Sequence, residues 1–224
     1  MAAVALLQAE AGSAPSGMGS FNYFTNFQVL VENIAYEKIV GIWGHDTLSG
    51  TWSFFPCNYD HSVTGNKEVW KTHIGLPEID MFDVEYNVAG NIYWDNNGGF
   101  NYVLDTAAAH TDGVGTAAIG PNVLAVSWGL DPGGTLSVEV LVKNLAFAKQ
   151  VAIVYTLNNW STFTNAFGGF QQTFPPATMP HQVQSELWKI SVALTPGASG
   201  NFAVFYIVGG ATYWDNNFGL NYSF

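Results

Sequence analysis

The 224-residue sequence predicts an all-β chain made of two tandem antiparallel β-sandwiches. Three observations predict it. The string NIYWDNNGGFNY, Asn91 to Tyr102, returns as ATYWDNNFGLNY, Ala211 to Tyr222. Tyr93 and Tyr213 stand 120 residues apart, a period too long for a solenoid and suited to two small domains. Apolar and β-branched residues alternate with polar ones in short runs bounded by Gly, Asn and Asp, and no stretch combines helix caps with a 3.6-residue period over ten residues.

The elements follow in order. AVALLQAEAG near the start and NVLAVSWGLDPGG in the second half read as the first strand of each copy. The apolar run Ala2 to Leu7 has no basic residue ahead of it and is short for a signal-peptide core, so strand is the preferred reading. FQVLVENIAYEKIVGIW, Phe27 to Trp43, reads as two short strands with a break at Asn33. SVEVLVKNLAFAKQVAIVY, Ser137 to Tyr155, repeats it with Val29 matching Val140 and Lys38 matching Lys149, a shift of 111. Because the shift reaches 120 at the repeated motif, nine extra residues lie between in the second copy, and the loop after Trp160 is where they are expected.

Turn clusters then close on aromatics, GHDTLSGTW on Trp52 and TLNNW on Trp160. EVWKTHIGL answers ELWKISVAL, alternating strands that place Trp70 and Trp188 in the core. MFDVEYNV and NFAVFYIV lead through turns at Gly90 and Gly210 into the repeated motif. The Gly-rich segment between the copies is the expected linker. The division is residues 1–106, first module; 107–120, linker; 121–224, second module, each an immunoglobulin-like sandwich of about eight strands.

Composition narrows the partners. Six lysines, no arginine and 17 acidic residues give a formal charge of −11, which removes the electrostatic attraction that nucleic acid and anionic lipid rely on. No segment holds about 20 apolar residues, so no membrane span is expected. A neutral polymer is not opposed by this charge, and polysaccharide is the expected partner. The aromatic share, 15%, exceeds what two sandwich cores need and leaves flat rings for a surface. Cys57 is alone, which excludes an intrachain disulfide. Sequons at Asn159 and Asn221 fall in the segments assigned to binding, which points to a cytoplasmic rather than a secreted setting.

The repeated motif offers Trp94, Asn96 and Asn101, then Trp214, Asn216 and Asn221. An Asn amide carries donors and an acceptor on one plane and matches vicinal hydroxyls without charge. A Trp face covers the C–H face of a pyranose. The alternative is a plain hairpin turn, since Asn and Asp accept left-handed backbone. Trp52 and Trp160, at loop ends, are expected to be displayed. Catalysis is not expected: the copies share only Asp95 and Asp215 as acidic equivalents within a motif, where a glycosidase needs two carboxylates together. The five histidines, His45, His61, His73, His110 and His181, show no metal-ligand spacing. No cofactor is called for.

NIAYEK and NLAFAK (Asn33 to Lys38, Asn144 to Lys149), the loop tryptophans and the two WDNN-x3-NY endings resemble the starch- and glycogen-binding family 21 carbohydrate-binding modules of fungal glucoamylases and glycogen-targeting phosphatase subunits. The resemblance implies non-catalytic α-glucan sites on β-sandwiches. Carried over, one site would use Trp52, Trp94, Asn96 and Asn101, and its repeat Trp160, Trp214, Asn216 and Asn221. Asn33 with Tyr36, and Asn144 with Phe147, would form a second surface, joined by Tyr59 and Phe170. Some members carry an aromatic where this chain has Asp83 and Ala203. The expected function is a bivalent, lectin-like glycan-binding protein for starch, glycogen or malto-oligosaccharides. A lectin for another glycan and a glycogen-targeting scaffold subunit are the alternatives.

Overall fold

A computed structural model describes residues 2–17, 20–110, 113–174 and 182–224. The chain forms two compact units, residues 1–120 with 174–184, and residues 121–173 with 185–224. Each is a pair of antiparallel sheets.

In the first unit, β1 (Val4–Gly17), β2 (Ser20–Glu32), β6 (Lys67–Ile74), β5 (Asn58–Val63) and β10 (Gly113–Ile119) make one sheet in the order β10-β1-β2-β6-β5. The other sheet runs β4 (Trp52–Pro56), β3 (Lys38–Asp46), β7 (Ile79–Val88), β8 (Asn91–Asp95), with β9 (Tyr102–Val103) also on β7. In β7 the even-numbered Phe82, Val84, Tyr86 and Val88 are buried while Asp83, Glu85 and Asn87 are not, the period-2 pattern of a strand with one face on a core. Val4, Leu6, Phe27, Val29, Val40 and Ile42 fill that core from the other strands.

The second unit repeats the plan. One sheet is β11 (Val123–Leu130), β12 (Thr135–Lys143), β16 (Ser185–Ala193) and β15 (Gly169–Phe174); the other is β14 (Thr164–Phe167), β13 (Lys149–Thr156), β17 (Asn201–Val208) and β18 (Ala211–Asp215), with β19 (Tyr222–Ser223) on β17. Leu136, Val138, Val140, Ile153, Phe202, Val204 and Tyr206 form its core. A matching bond closes each unit: the fully buried Tyr86 hydroxyl donates to the Glu32 carbonyl at 2.6 Å and Tyr206 to that of Lys143 at 2.7 Å.

Two details differ from expectation. The segment expected as linker, 107–120, is structured in its described part: α1 (Thr106–Ala109) is capped by Asp105, and β10 pairs with β1 from Gly12↔Val114 to Gln8↔Ile119. Gly12 is required there, because a Cβ would lie 1.9 Å from the Gly113 carbonyl oxygen. Residues 111–112 of that segment, and His181, lie outside the described residues.

The extra residues of the second copy are also not where they were placed. Phe170 still follows Tyr59 by 111, whereas Trp188 follows Trp70 by 118. Most of the insertion therefore falls between β15 and β16. Within its described part, the Gln182 amide bonds both the N–H and the carbonyl of Val103, each at 2.9 Å, and so lies in the first unit.

Candidate functional site

The break between β2 and β3 is held open by a short ladder: the Asn33 N–H donates to the Asn66 carbonyl at 2.8 Å, and the Asn66 amide returns a bond to the Asn33 carbonyl at 3.0 Å. This projects the link 33–37 from the sandwich. Below it the Lys38 ammonium, with a side chain only 3% exposed, donates to Glu68 at 2.9 Å and to the Asn33 side-chain oxygen. A lysine can only donate, so the Asn33 oxygen must face it and the NH2 is the group left to present. Glu68 also accepts from the Trp70 indole at 3.0 Å. Every charge in the network is thereby paired.

The second unit reproduces it: Lys149 donates to Asn144 and, at 2.8 Å, to Glu186, which accepts from the Trp188 indole at 3.0 Å. Trp70 and Trp188 are not the core residues expected. Each is half-buried, with part of its ring on the core and the rest in an open groove. Tyr59 stands edge-on to Trp70, ring centroids 5.9 Å apart, and Phe170 does the same to Trp188 at 6.1 Å. On the lip stand Tyr36, 97% exposed, and Phe147, 100% exposed. The grooves measure about 860 Å³ and about 600 Å³ and are lined by the same set in both units: Asn, lip aromatic, Lys, strand aromatic, Glu and Trp. Here the structure brings together Asn33, Tyr36 and Tyr59, and again Asn144, Phe147 and Phe170.

The repeated motif divides into a turn and a displayed ring. Asp95 accepts from the Leu6 N–H at 2.7 Å and the Tyr102 hydroxyl at 2.9 Å; Asp215 accepts from the Ala125 N–H and the Tyr222 hydroxyl, both at 2.7 Å. The Asn96 and Asn216 oxygens cap short 3-10 turns by accepting from the Gly99 and Gly219 N–H groups. Asn101 and Asn221 take left-handed backbone, φ 56° and 59°. The turn reading thus accounts for Asp95, Asp215, Asn96 and Asn216, while Trp94 and Trp214 remain 47% and 57% exposed.

Register places the two rings differently. On the outer face of the first unit's second sheet, Trp94 lies beside Glu85 and Glu85 beside Gly41, whereas Trp52 pairs with His45, four residues further along β3. Strand spacing then separates Trp94 from Trp52 by roughly 20 Å. They share a face but not one sugar-sized subsite. Between them Trp43 donates to Glu85 at 2.6 Å, and Phe54 packs over Gly41.

Trp160 is not the structural counterpart of Trp52. Val154 pairs with Asn165 just as Trp43 pairs with Phe54, so the ladder assigns Trp52's place to Phe163. Trp160 sits instead in the turn after β13, half-buried, with φ 66° and its N–H on the Thr156 hydroxyl at 3.0 Å.

Asp83 and Ala203 occupy matching outer-face positions. With its nitrogen turned toward Asp83, the Asn101 amide donates to both carboxylate oxygens, at 3.1 and 3.0 Å. Burial, and then the neighbouring Asp95 charge, push the Asp83 carboxyl up to about 6. The Asn221 side chain meets no such acid. Burial also raises Asp215, and raises Tyr102 and Tyr222 further, with the acid beside each adding to the effect. Among the described residues no group of three or more His, Cys, Asp or Glu could hold a metal ion, and no helix is long and apolar enough to cross a membrane.

The model of the carbohydrate/starch-binding module, family 21, matches residues 124–224, the second repeat. Glucoamylase 1 of Rhizopus oryzae is 31% identical over 117 residues, 47% of this chain and 19% of that protein. Protein phosphatase 1 regulatory subunit 3C of Clarias batrachus is 33% identical over 98 residues, 41% of this chain and 32% of that protein. The chain thus spans about a fifth to a third of these relatives. Among solved structures, the starch-binding domain of Rhizopus oryzae glucoamylase, in complex with β-cyclodextrin and maltoheptaose, is 26% identical with a TM-score of 0.38, over 47% of this chain and 94% of that one.

Proposed function

We propose that the chain is a bivalent, non-catalytic glycan-binding protein whose ligand is α-glucan: starch, glycogen or malto-oligosaccharide. The observation that carries the reading is the groove built twice. In each unit a free-standing ring, a second ring edge-on to a Trp, and an Asn NH2 fixed by a buried Lys–Glu pair converge on an open groove. Exposed rings can stack on pyranose faces, and the fixed amide can bond a hydroxyl pair. The match of the second repeat to the carbohydrate/starch-binding module supports the ligand class.

Non-catalytic binding fits how the acids are used. Asp95 and Asp215 are occupied by backbone N–H groups and tyrosine hydroxyls, and Glu68 and Glu186 by lysine and indole. A pair of carboxylates flanking a scissile bond is not formed from these. Two shallow sites on one chain gain on the order of 10² to 10⁴ in avidity when a single polymer reaches both. The cytoplasmic setting read from the sequons belongs to the same proposal.

Sedimentation with granular starch, set against cellulose, tests it. The protein should pellet with starch, be released by maltoheptaose and leave the starch undigested; retention on cellulose alone would remove the α-glucan ligand. The regulatory-subunit relatives favour a second reading, a targeting scaffold. That reading requires a protein partner that stays bound after amylase has removed the glucan.

A further inference from the structure

The outer face of the β14-β13-β17-β18 sheet carries an aromatic row that the first unit lacks. Ala152 pairs with Phe167 on one side and Phe205 on the other, and Phe205 pairs with Trp214, so the three rings lie on one line across the strands. Phe167 and Phe205 centroids are 6.2 Å apart, edge-on, and Phe205 and Trp214 are 5.3 Å apart. Phe205 is only 7% exposed, whereas Phe167 and Trp214 are 60% and 57% exposed. The middle ring is therefore a wedge that fixes two displayed rings, no more than about 11.5 Å apart with the two spacings laid end to end. The same line in the first unit reads Pro56, Gly41, Glu85, Trp94. A carboxylate, itself taken by the Trp43 indole, stands where the wedge would be.

We propose that Phe167 and Trp214, held apart by Phe205, form an extended platform in the second unit for a run of consecutive sugar residues of one α-glucan chain, and that the first unit, with Glu85 at the wedge position and Pro56 at that of Phe167, lacks it. The proposal rests on the α-glucan reading and deepens it. The occupant follows from continuity and chemistry. The row begins at Trp214, the displayed ring of the repeated motif, and presents apolar faces with no charge among them, which suits the C–H faces of a neutral polymer. Ala152 lies between Phe167 and Phe205 on the line and is fully buried, so its small side chain lets the two rings meet above it. The two units are then unequal binders, with length selectivity residing in the second.

The test is isothermal titration of the full chain with maltotriose and with maltoheptaose. Phe167 is exposed at a strand end, so Phe167→Ala should fold as the parent does, checked by its thermal midpoint. The variant should lose about five- to tenfold in maltoheptaose affinity at the second-unit site while maltotriose binding stays within twofold. Glu85→Phe combined with Pro56→Phe should raise maltoheptaose affinity at the first unit. Equal losses for both oligosaccharides, or none, with Phe147→Ala still weakening binding, would overturn the platform and leave the α-glucan reading intact. No binding of either oligosaccharide by the parent chain would overturn both.

Discussion

The Trp70 indole donates to Glu68 at 3.0 Å, and Trp188 makes the same bond to Glu186 at the same distance. A tryptophan that reads as a core residue is thereby turned so that one part of its ring seals the sandwich while another floors a groove. The carboxylate that turns it is held by a lysine, and the lysine holds the Asn at the groove's edge. Fold and site share one network in each unit.

Lys38→Met tests that network. The lysine side chain is 3% exposed and that of Glu68 10%, so removing the cation strands a buried carboxylate. Breaking such a pair costs about 3–5 kcal/mol, and urea denaturation should show a loss in that range. Adding Glu68→Gln should recover most of it, because no uncompensated charge then remains. Lys149→Met with Glu186→Gln should behave alike in the second unit.

Tyr206→Phe should cost much less. The hydroxyl bonds the Lys143 carbonyl, but that carbonyl also accepts from the Leu145 N–H at 2.8 Å and is not orphaned. The expected loss is about 1 kcal/mol. Tyr86→Phe, where the Glu32 carbonyl keeps the Ile34 N–H at 2.9 Å, should match it by the same measurement.

Asp83→Asn carries a pH signature. The folded-state pKa of Asp83 is raised to about 6 from 3.8, so between those values the native state binds more protons than the unfolded chain. Its contribution to stability is therefore favourable at low pH and lost as pH rises through about 6. The Asn101 amide offsets part of that loss by bonding the ionised form. Asp83→Asn should raise the thermal midpoint at pH 7 to 8, with the gain shrinking toward zero near pH 4. A gain that grows on acidification would contradict the partial desolvation of Asp83.

The sequence made the sandwiches legible because a strand with one buried face must alternate, as Phe82 to Val88 do, and because the duplication repeats every break. The family resemblance, not the strand pattern, singled out Asn33, Tyr36, Asn144 and Phe147, which lie in the breaks after β2 and β12. Trp70 and Trp188 were misplaced because alternation reports which face of a strand points inward, not how far a large ring reaches past its edge. Trp52 and Trp160 were paired by their position after a turn, whereas pairing is set by register, and only the ladder through Phe54 and Asn165 shows the offset. The row Phe167, Phe205, Trp214 joins residues from three strands, a relation that exists only once the strands are side by side. Asn96 and Asn216 were legible as polar groups at a turn; that the turn itself consumes their oxygens follows from backbone geometry.

On the proposed function, Tyr36 and Phe147 face glucan from equivalent grooves. Maltoheptaose titration of Tyr36→Ala, Phe147→Ala and the double variant tests it most directly. Both rings are almost wholly exposed and touch little, so unfolding free energies should stay within about 0.5 kcal/mol of the parent. Each single variant should weaken binding at its own groove by about tenfold or more, and the double should lose both groove contributions. Unchanged affinity in the double variant, with the fold intact, would contradict the account.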